Sequence, residues 1–214
     1  MRELLRGLPV FSGDLPLFDP AAADRDPAAE FAAWLSAAVA AGVPEPHAMT
    51  VSTADEQGRP SARVLILKNV DRDGWQFASG AESRKGRELA ANPWAALTFY
   101  WPQQGRQVRV RGQVRPLPAE AGARDFLARA PESRAEALLG RQSEVLSEGV
   151  DIAMETKVAL ERIERDPDTI APGWTLYALV ADEVEFWQAA GSRQHTRLRY
   201  VRDGADWRTE QLWP

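Results

Sequence analysis

The sequence predicts a mainly β fold with α-helices at its periphery: an antiparallel barrel of about eight strands. Three observations carry this. Short runs rich in β-branched and aromatic residues recur along the chain, as in 48–54, 61–70 and 94–101. The breaks between them are short and turn-like, DEQGRP at 55–60 and DRDG at 71–74, so neighbouring strands should pair as hairpins. Strands and helices do not alternate in a βαβ rhythm, which leaves no basis for a parallel sheet.

Taken in order, residues 1–26 lack clear periodicity and carry several Pro and Asp, so they read as an irregular arm before one domain over 27–214. Asp26-Pro27 is a helix start, with Asp at the N-cap and Pro at the first helical position. That helix runs through Trp34 and Leu35 and stops at Gly42. Ala48–Ala54 is a strand and Ser61–Val70 the next. The core of the second, Val64-Leu65-Ile66-Leu67, is apolar on both faces, which predicts a central strand. Trp75–Ser79 is a third. Ser83 caps a short helix, SRKGRELAAN, ended by Asn92-Pro93. Trp94–Trp101 and Arg106–Arg115 follow, the latter alternating Val108, Val110 and Val114 against Arg109, Arg111 and Arg115.

A helical insertion is expected over 118–165. It comprises Pro118 to Arg129, a turn or two in Ser133–Leu139, and Gly149–Arg165, with Ile152, Ala159, Leu160 and Ile163 on one face. Residues 166–173 read as a linker. Three closing strands, Trp174–Ala181, Glu183–Gln188 and Thr196–Arg202, precede a DGAD turn into Trp207–Leu212.

Composition excludes several function classes. The 214 residues carry 26 basic and 31 acidic side chains, a net charge of −5, with 44% apolar and 27% charged residues. This is a globular composition, long enough to bury a core. The absence of cysteine removes disulfides, thiolate metal sites and a Cys nucleophile. Two histidines, His47 and His195, cannot build a multi-His metal centre within one chain. The acidic balance argues against a nucleic-acid binder. The longest nearly apolar run, 31–43, is too short to span a bilayer, and the charged, proline-broken start lacks a signal-peptide core. A cytoplasmic protein is expected. Its only lysines are Lys68, Lys85 and Lys157.

Four segments bear chemistry. Ser83-Arg84-Lys85-Gly86-Arg87 sets two cations at a helix start, where free N–H groups and the helix dipole attract an anion; a phosphate site and a solvated basic turn are both open readings. Arg63 and Lys68 bracket the apolar strand, as rim or site residues. The Arg-striped strand 106–115 suits a solvated or dimer-facing surface better than nucleic acid, and Gln107, in phase with the stripe, could donate to a planar ligand. Arg193, His195 and Arg197 would share one face of an extended chain, a dense donor set for a planar anion.

Together RVLILK (63–68), SRKGREL (83–89), NPWAALTFYWPQQGRQVRVRG (92–112), RQSE (141–144), EFWQ (185–188) and RxHxR (193–197) resemble the pyridoxamine 5′-phosphate oxidase family in order and spacing across 45–214 and the helix at 27–42. The resemblance implies an FMN-binding split β-barrel, a homodimer with FMN at the interface, and oxidation of a small molecule by O2 to give H2O2. Carried over by motif, the FMN residues are Arg63, Val64, Leu65, Ile66, Leu67, Lys68, Ala78, Ser79, Arg84, Lys85 and Gln107, with Gln142, Ser143, Trp187 and Arg197 from the neighbouring subunit. The substrate residues are Lys68, Arg129, Ser133, Arg193 and His195, of which Arg193 and His195 are the catalytic pair. No metal is implied.

The chain also departs from the family's vitamin B6 pattern. Asp125 stands where those enzymes carry Tyr, Thr175-Leu176 replaces two glycines, and the N-terminal Arg-x-x-Tyr is missing. The arm, NPWA and RQSE look more like the phenazine-biosynthesis oxidases of the same family, so the resemblance implies a reduced phenazine precursor as substrate, with pyridoxine or pyridoxamine 5′-phosphate as the alternative. A non-catalytic flavin or deazaflavin binder is the competing class.

Overall fold

A computed structural model describes residues 1–11 and 14–214; Ser12 and Gly13 of the arm lie outside the described residues. The arm is less irregular than its sequence suggests, because residues 2–6 form a short helix, α1 (Arg2–Arg6). α2 (Pro27–Ala40) begins where expected: the Asp26 side chain accepts the Ala28 N–H and Pro27 occupies the first turn. Its apolar face carries Phe31, Trp34 and Ala38, all buried. Phe31 packs on Trp75, Phe99 and Trp101, while Trp34 meets Phe18 and Phe186. α2 therefore plugs the curled sheet and seals its main core.

Nine strands form one antiparallel sheet among the described residues: β1 (Ala48–Ala54), β2 (Pro60–Ile66), β3 (Asn69–Asp71), β4 (Gly74–Gly80), β5 (Trp94–Trp101), β6 (Arg106–Pro116), β7 (Trp174–Gln188), β8 (Thr196–Asp203) and β9 (Asp206–Gln211). The order is β2-β1-β5-β6-β7-β4-β3, with β8 on β7 and β9 on β8. The expected strand 61–70 breaks at Leu67-Lys68. Leu67 N–H donates to His47 C=O on the β1 side, and Lys68 N–H to Gln76 C=O on β4. These two residues join the sheet's two ends, which curls it into a split barrel.

Two sequence expectations change here. β2 is not central: it pairs with β1 alone and Val64 is 64% exposed. Its second apolar face borders a cavity instead of another strand. The first two closing strands are one, β7, whose start pairs with β4 and whose end pairs with β8. A bulge opposite Arg111-Gly112 bends β7 between these partners and leaves Asp182 out of register. Gly112 is required there, since a Cβ would stand 2.0 Å from Val180 C=O.

The insertion between β6 and β7 consists of α4 (Ala119–Leu127), α5 (Pro131–Leu138) and α6 (Ile152–Arg165). α3 (Arg84–Ala91) lies between β4 and β5. Ala135, Ala159 and Ile163 make a small separate core between α5 and α6. Of the apolar face expected on α6, Ile152 is exposed. Arg134 ties α5 to the segment before β7, donating to Thr169 C=O at 2.9 Å.

Candidate active site

α3 starts at a polar cradle. Ser83 is its N-cap and accepts the Gly86 N–H. Gly86 lets the helix sit on the preceding turn, because a Cβ would lie 2.0 Å from Ala81 C=O. Lys85 is only 5% exposed. Its Nζ donates to Ser83 Oγ at 3.2 Å and Gln142 Oε1 at 3.0 Å, and among the described residues no carboxylate lies within ion-pair distance. Burial, then the nearby Arg63 charge, pushes Lys85 down to about 8 against the opposing pull of Glu88. A buried ammonium held by neutral oxygens beside a helix N-terminus is suited to an anion.

Glu88, one turn on, anchors the cationic side chains. It accepts from Ser61 Oγ at 2.6 Å, Thr53 Oγ1 at 2.5 Å and Arg84 Nε at 2.8 Å, with Arg63 Nη2 at 3.4 Å. Burial alone would raise this carboxyl; the hydrogen bonds from Ser61, Thr53 and Arg84 and the Arg63 charge hold it down at about 2.

A cavity of about 1020 Å³ opens beside the cradle, at the upper end of the ~300–1,000 Å³ usual for small-molecule sites. The end of β2 contributes Val64, Leu65, Ile66 and the following Lys68 to its wall, and β4 contributes Ala78 and Ser79. Arg129, Ser133 and Gln142 come from the insertion. Leu67 is buried and does not line it, and Arg63 turns away to Glu88, Thr53 and Val51 C=O. Gln142 and Ser143, expected from a neighbouring subunit, stand at this cradle within the same chain: Ser79 Oγ donates to Gln142 Oε1, and Arg84 N–H to Ser143 Oγ.

Along the cavity wall a cluster forms that the sequence did not reveal. Asp125 Oδ1 pairs with Lys68 Nζ at 3.3 Å, and Asp125 Oδ2 accepts Trp174 Nε1–H at 2.9 Å. The Arg129 guanidinium lies over the Trp174 ring, 4.3 Å from its centroid, and donates to Ser133 C=O. Arg129 Nε is buried without a partner among the described residues. Asp125 was visible only as a departure from pattern. Trp174 looked like an ordinary strand residue, and only the packing of α4 on β7 gives it a role.

The remaining expected residues lie elsewhere. Gln107, Trp187 and Arg197 are directly opposed across β6, β7 and β8, and Tyr100 on β5 continues the row, so the four share one face of the sheet. Arg197 is held by Glu185, which also binds Arg109. The Arg stripe is thus largely paired: Arg111 meets Asp182 and Glu183, and Arg115 meets Asp73. His195 Nδ1 accepts Ala190 N–H at 3.1 Å and the ring packs on Trp187 and Phe11. Arg193 does not share an extended face with His195 and Arg197. It lies in a turn before β8 with φ of 65°, so the alternation argument does not reach it. None of Gln107, Trp187, Arg193, His195 and Arg197 lines the cavity.

The likeness to known proteins covers nearly all of this framework. Residues 35–161 match the family model described as pyridoxamine 5′-phosphate oxidase, and residues 174–214 match the pyridoxine 5′-phosphate oxidase C-terminal dimerisation region. The chain belongs to the pyridoxamine 5′-phosphate oxidase family. It is 44% identical over 199 residues to the pyridoxine/pyridoxamine 5′-phosphate oxidase of Burkholderia multivorans and 42% identical to that of Burkholderia ambifaria, covering 92% of each chain. It is also similar to the crystal structure of PhzG from Burkholderia lata 383 in complex with tetrahydrophenazine-1-carboxylic acid. That match has a TM-score of 0.85 at 32% identity and covers 94% of this chain and 100% of PhzG. An FMN-binding protein of Nostoc punctiforme shares the fold, with a TM-score of 0.72 at 19% identity. The pyridoxamine 5′-phosphate oxidase family is one of flavin-dependent oxidoreductases, and the split barrel seen here is its fold.

Proposed function

We propose that the protein is an FMN-dependent oxidase that takes a hydride from a planar, anionic small molecule and passes the electrons to O2, giving H2O2. The observation that carries this is Lys85: a buried cation without a carboxylate partner among the described residues, at the N-terminus of α3, beside a cavity large enough for a ring system. Lys85, Arg84 and the α3 N–H groups would hold the FMN phosphate, while Val64, Leu65 and Ile66 would flank its ring. Bound there, FMN supplies the two-electron chemistry that no side chain of this protein has.

The chain's own residues bind and orient. Gln107, Trp187, Arg197 and His195 lie on a sheet face away from the cavity, which supports a homodimer in which a second copy brings that face to each FMN. In that arrangement Arg193 and His195 would hold the substrate anion and steady the charge that develops as the hydride leaves. Lys68, Arg129 and Ser133 would orient its other end.

The Lys68–Asp125 pair points to the substrate class. It offsets one of the two cations at the substrate end, which suits a carboxylate-bearing ring such as a dihydrophenazine better than a phosphate dianion. Pyridoxine or pyridoxamine 5′-phosphate is the second reading. It is favoured by Lys68, Arg129 and Ser133 lining one cavity and by the names of the relatives at 42–44% identity. Parallel O2-uptake assays with a dihydrophenazine carboxylate and with pyridoxine 5′-phosphate test both. Turnover of the first with little of the second is expected. A kcat/KM near or above the ordinary enzyme range of about 10⁴ M⁻¹s⁻¹ on pyridoxine 5′-phosphate overturns that order, and no uptake with either removes the oxidase reading.

A further inference from the structure

We propose that Glu88 is a positioning residue that aims Arg84 at the phosphate of the bound cofactor; this rests on the FMN reading above. Glu88 and Arg84 are one turn apart on α3, so their side chains share a face. Arg84 is 60% exposed along its side chain and Glu88 only 6%. Glu88 is therefore the fixed partner. Three neighbours anchor it from the barrel: Ser61 and Thr53 donate to its Oε2, and Arg63 approaches the same oxygen.

The two arginines around Glu88 are used differently. The terminal nitrogens of Arg63 are committed to Val51 C=O, Thr53, Ser61 and Glu88. With the hydrogen bonds from Ser61 and Thr53, Arg63 thus helps keep Glu88 ionised and in place. Arg84 is held through Nε alone, and among the described residues its two terminal nitrogens make no hydrogen bond. Its fork is left open in the first turn of α3, one residue before Lys85. An exposed arginine otherwise spreads over many rotamers, so a carboxylate on Nε selects the few that present the fork.

An acid this close to an anion site works against it by simple Coulomb repulsion. A buried carboxylate is also a poor choice for packing alone. Aiming Arg84 accounts for both its burial and its site. This separates the proposal from an electrostatic role by sign. Removing the charge makes the cradle more positive, which on charge alone would tighten FMN binding. Removing a positioning contact loosens it.

The test is FMN affinity, measured by quenching of flavin fluorescence on the apoprotein, for the wild type, Glu88→Gln, Arg84→Ala and the double variant, with apoprotein melting recorded for each. Glu88→Gln is expected to weaken FMN binding at least tenfold. In the Arg84→Ala background the same change should cost less than threefold, because the residue it acts through is gone. Tighter or unchanged binding in Glu88→Gln, or an equal loss in both backgrounds, overturns the proposal. Arg84→Lys gives an independent reading on an exposed position: lysine keeps the charge but has no Nε for Glu88 to hold. Its affinity should fall close to that of Arg84→Ala, and near-wild-type affinity overturns the proposal even if Glu88→Gln does not fold. Wild-type protein that fails to bind FMN would instead remove the cofactor reading on which the inference stands.

Discussion

Lys85 shows how one side chain's surroundings set a measurable property. Its folded pKa lies below the ordinary lysine value of 10.5, at about 8. Below pH 8 the apoprotein carries a buried charge, which costs stability; that cost is relieved as pH rises from about 8 to 10.5. An anion bound to the charged form reverses the preference. FMN affinity is therefore expected to be flat below pH 8 and to fall as pH rises through it, by up to about tenfold per unit. Fluorescence titrations at pH 7, 8, 9 and 9.5 check this, and a pH-independent Kd across that range would place the phosphate away from Lys85. Arg84→Ala with Lys85→Ala should weaken FMN by roughly 2–4 kcal/mol, since each charge-assisted contact is worth about 1.5–3 and the two are not additive. In the second cluster, Asp125→Asn frees Lys68 from its partner. Activity on pyridoxine 5′-phosphate should rise by about tenfold or more, while FMN affinity stays unchanged.

At the scale of elements, α3 depends on its close seat on Ala81. A Cβ at Gly86 would stand 2.0 Å from Ala81 C=O, and that neighbour is backbone, not a flexible side chain. Gly86→Val should lower stability by about 1–3 kcal/mol and reduce FMN binding together with it, read by denaturant unfolding and flavin titration. The same argument fails for an exposed cap. Asp26→Ala at the start of α2 removes one acceptor and should cost about 1 kcal/mol with no change in FMN affinity, because among the described residues no cradle residue hydrogen-bonds to α2. β7 shows what bending one strand achieves. Its bulge lets the first half complete the cavity wall through Trp174 and the second half carry Trp187 toward the outer face.

For the whole molecule, the two sets of candidate site residues lie apart in one chain, and a twofold pair of chains is the simple way to bring them together. FMN-loaded protein is expected to sediment as a dimer at micromolar concentration; a loaded monomer would contradict this. The flavin released on denaturation should be FMN and not FAD, because the cradle offers one phosphate-sized seat and the sequence has no dinucleotide fingerprint. Chromatography of the released flavin decides it.

Much of this was legible in local sequence. Strand alternation, the Asp26-Pro27 start, the Ser83 cap and the turn at 71–74 are set by neighbours a few residues apart, and β1, β5 and the start of α3 fall where their residues predict. The polar cradle at the start of α3 was legible for the same reason, since Ser83, Arg84 and Lys85 are consecutive. The sheet order was not. An apolar run such as 64–67 reads as central whether its second face meets a strand or a cavity, because hydrophobicity records burial and not the partner. The joining of β7 into one strand depends on a bulge opposite Gly112, and the pairing of Asp125 with both Lys68 and Trp174 depends on α4 packing against β7. Those contacts span 57 positions (68 to 125) and 49 (125 to 174), and only the folded chain brings Lys68 and Trp174 within ion-pair and hydrogen-bond reach of Asp125.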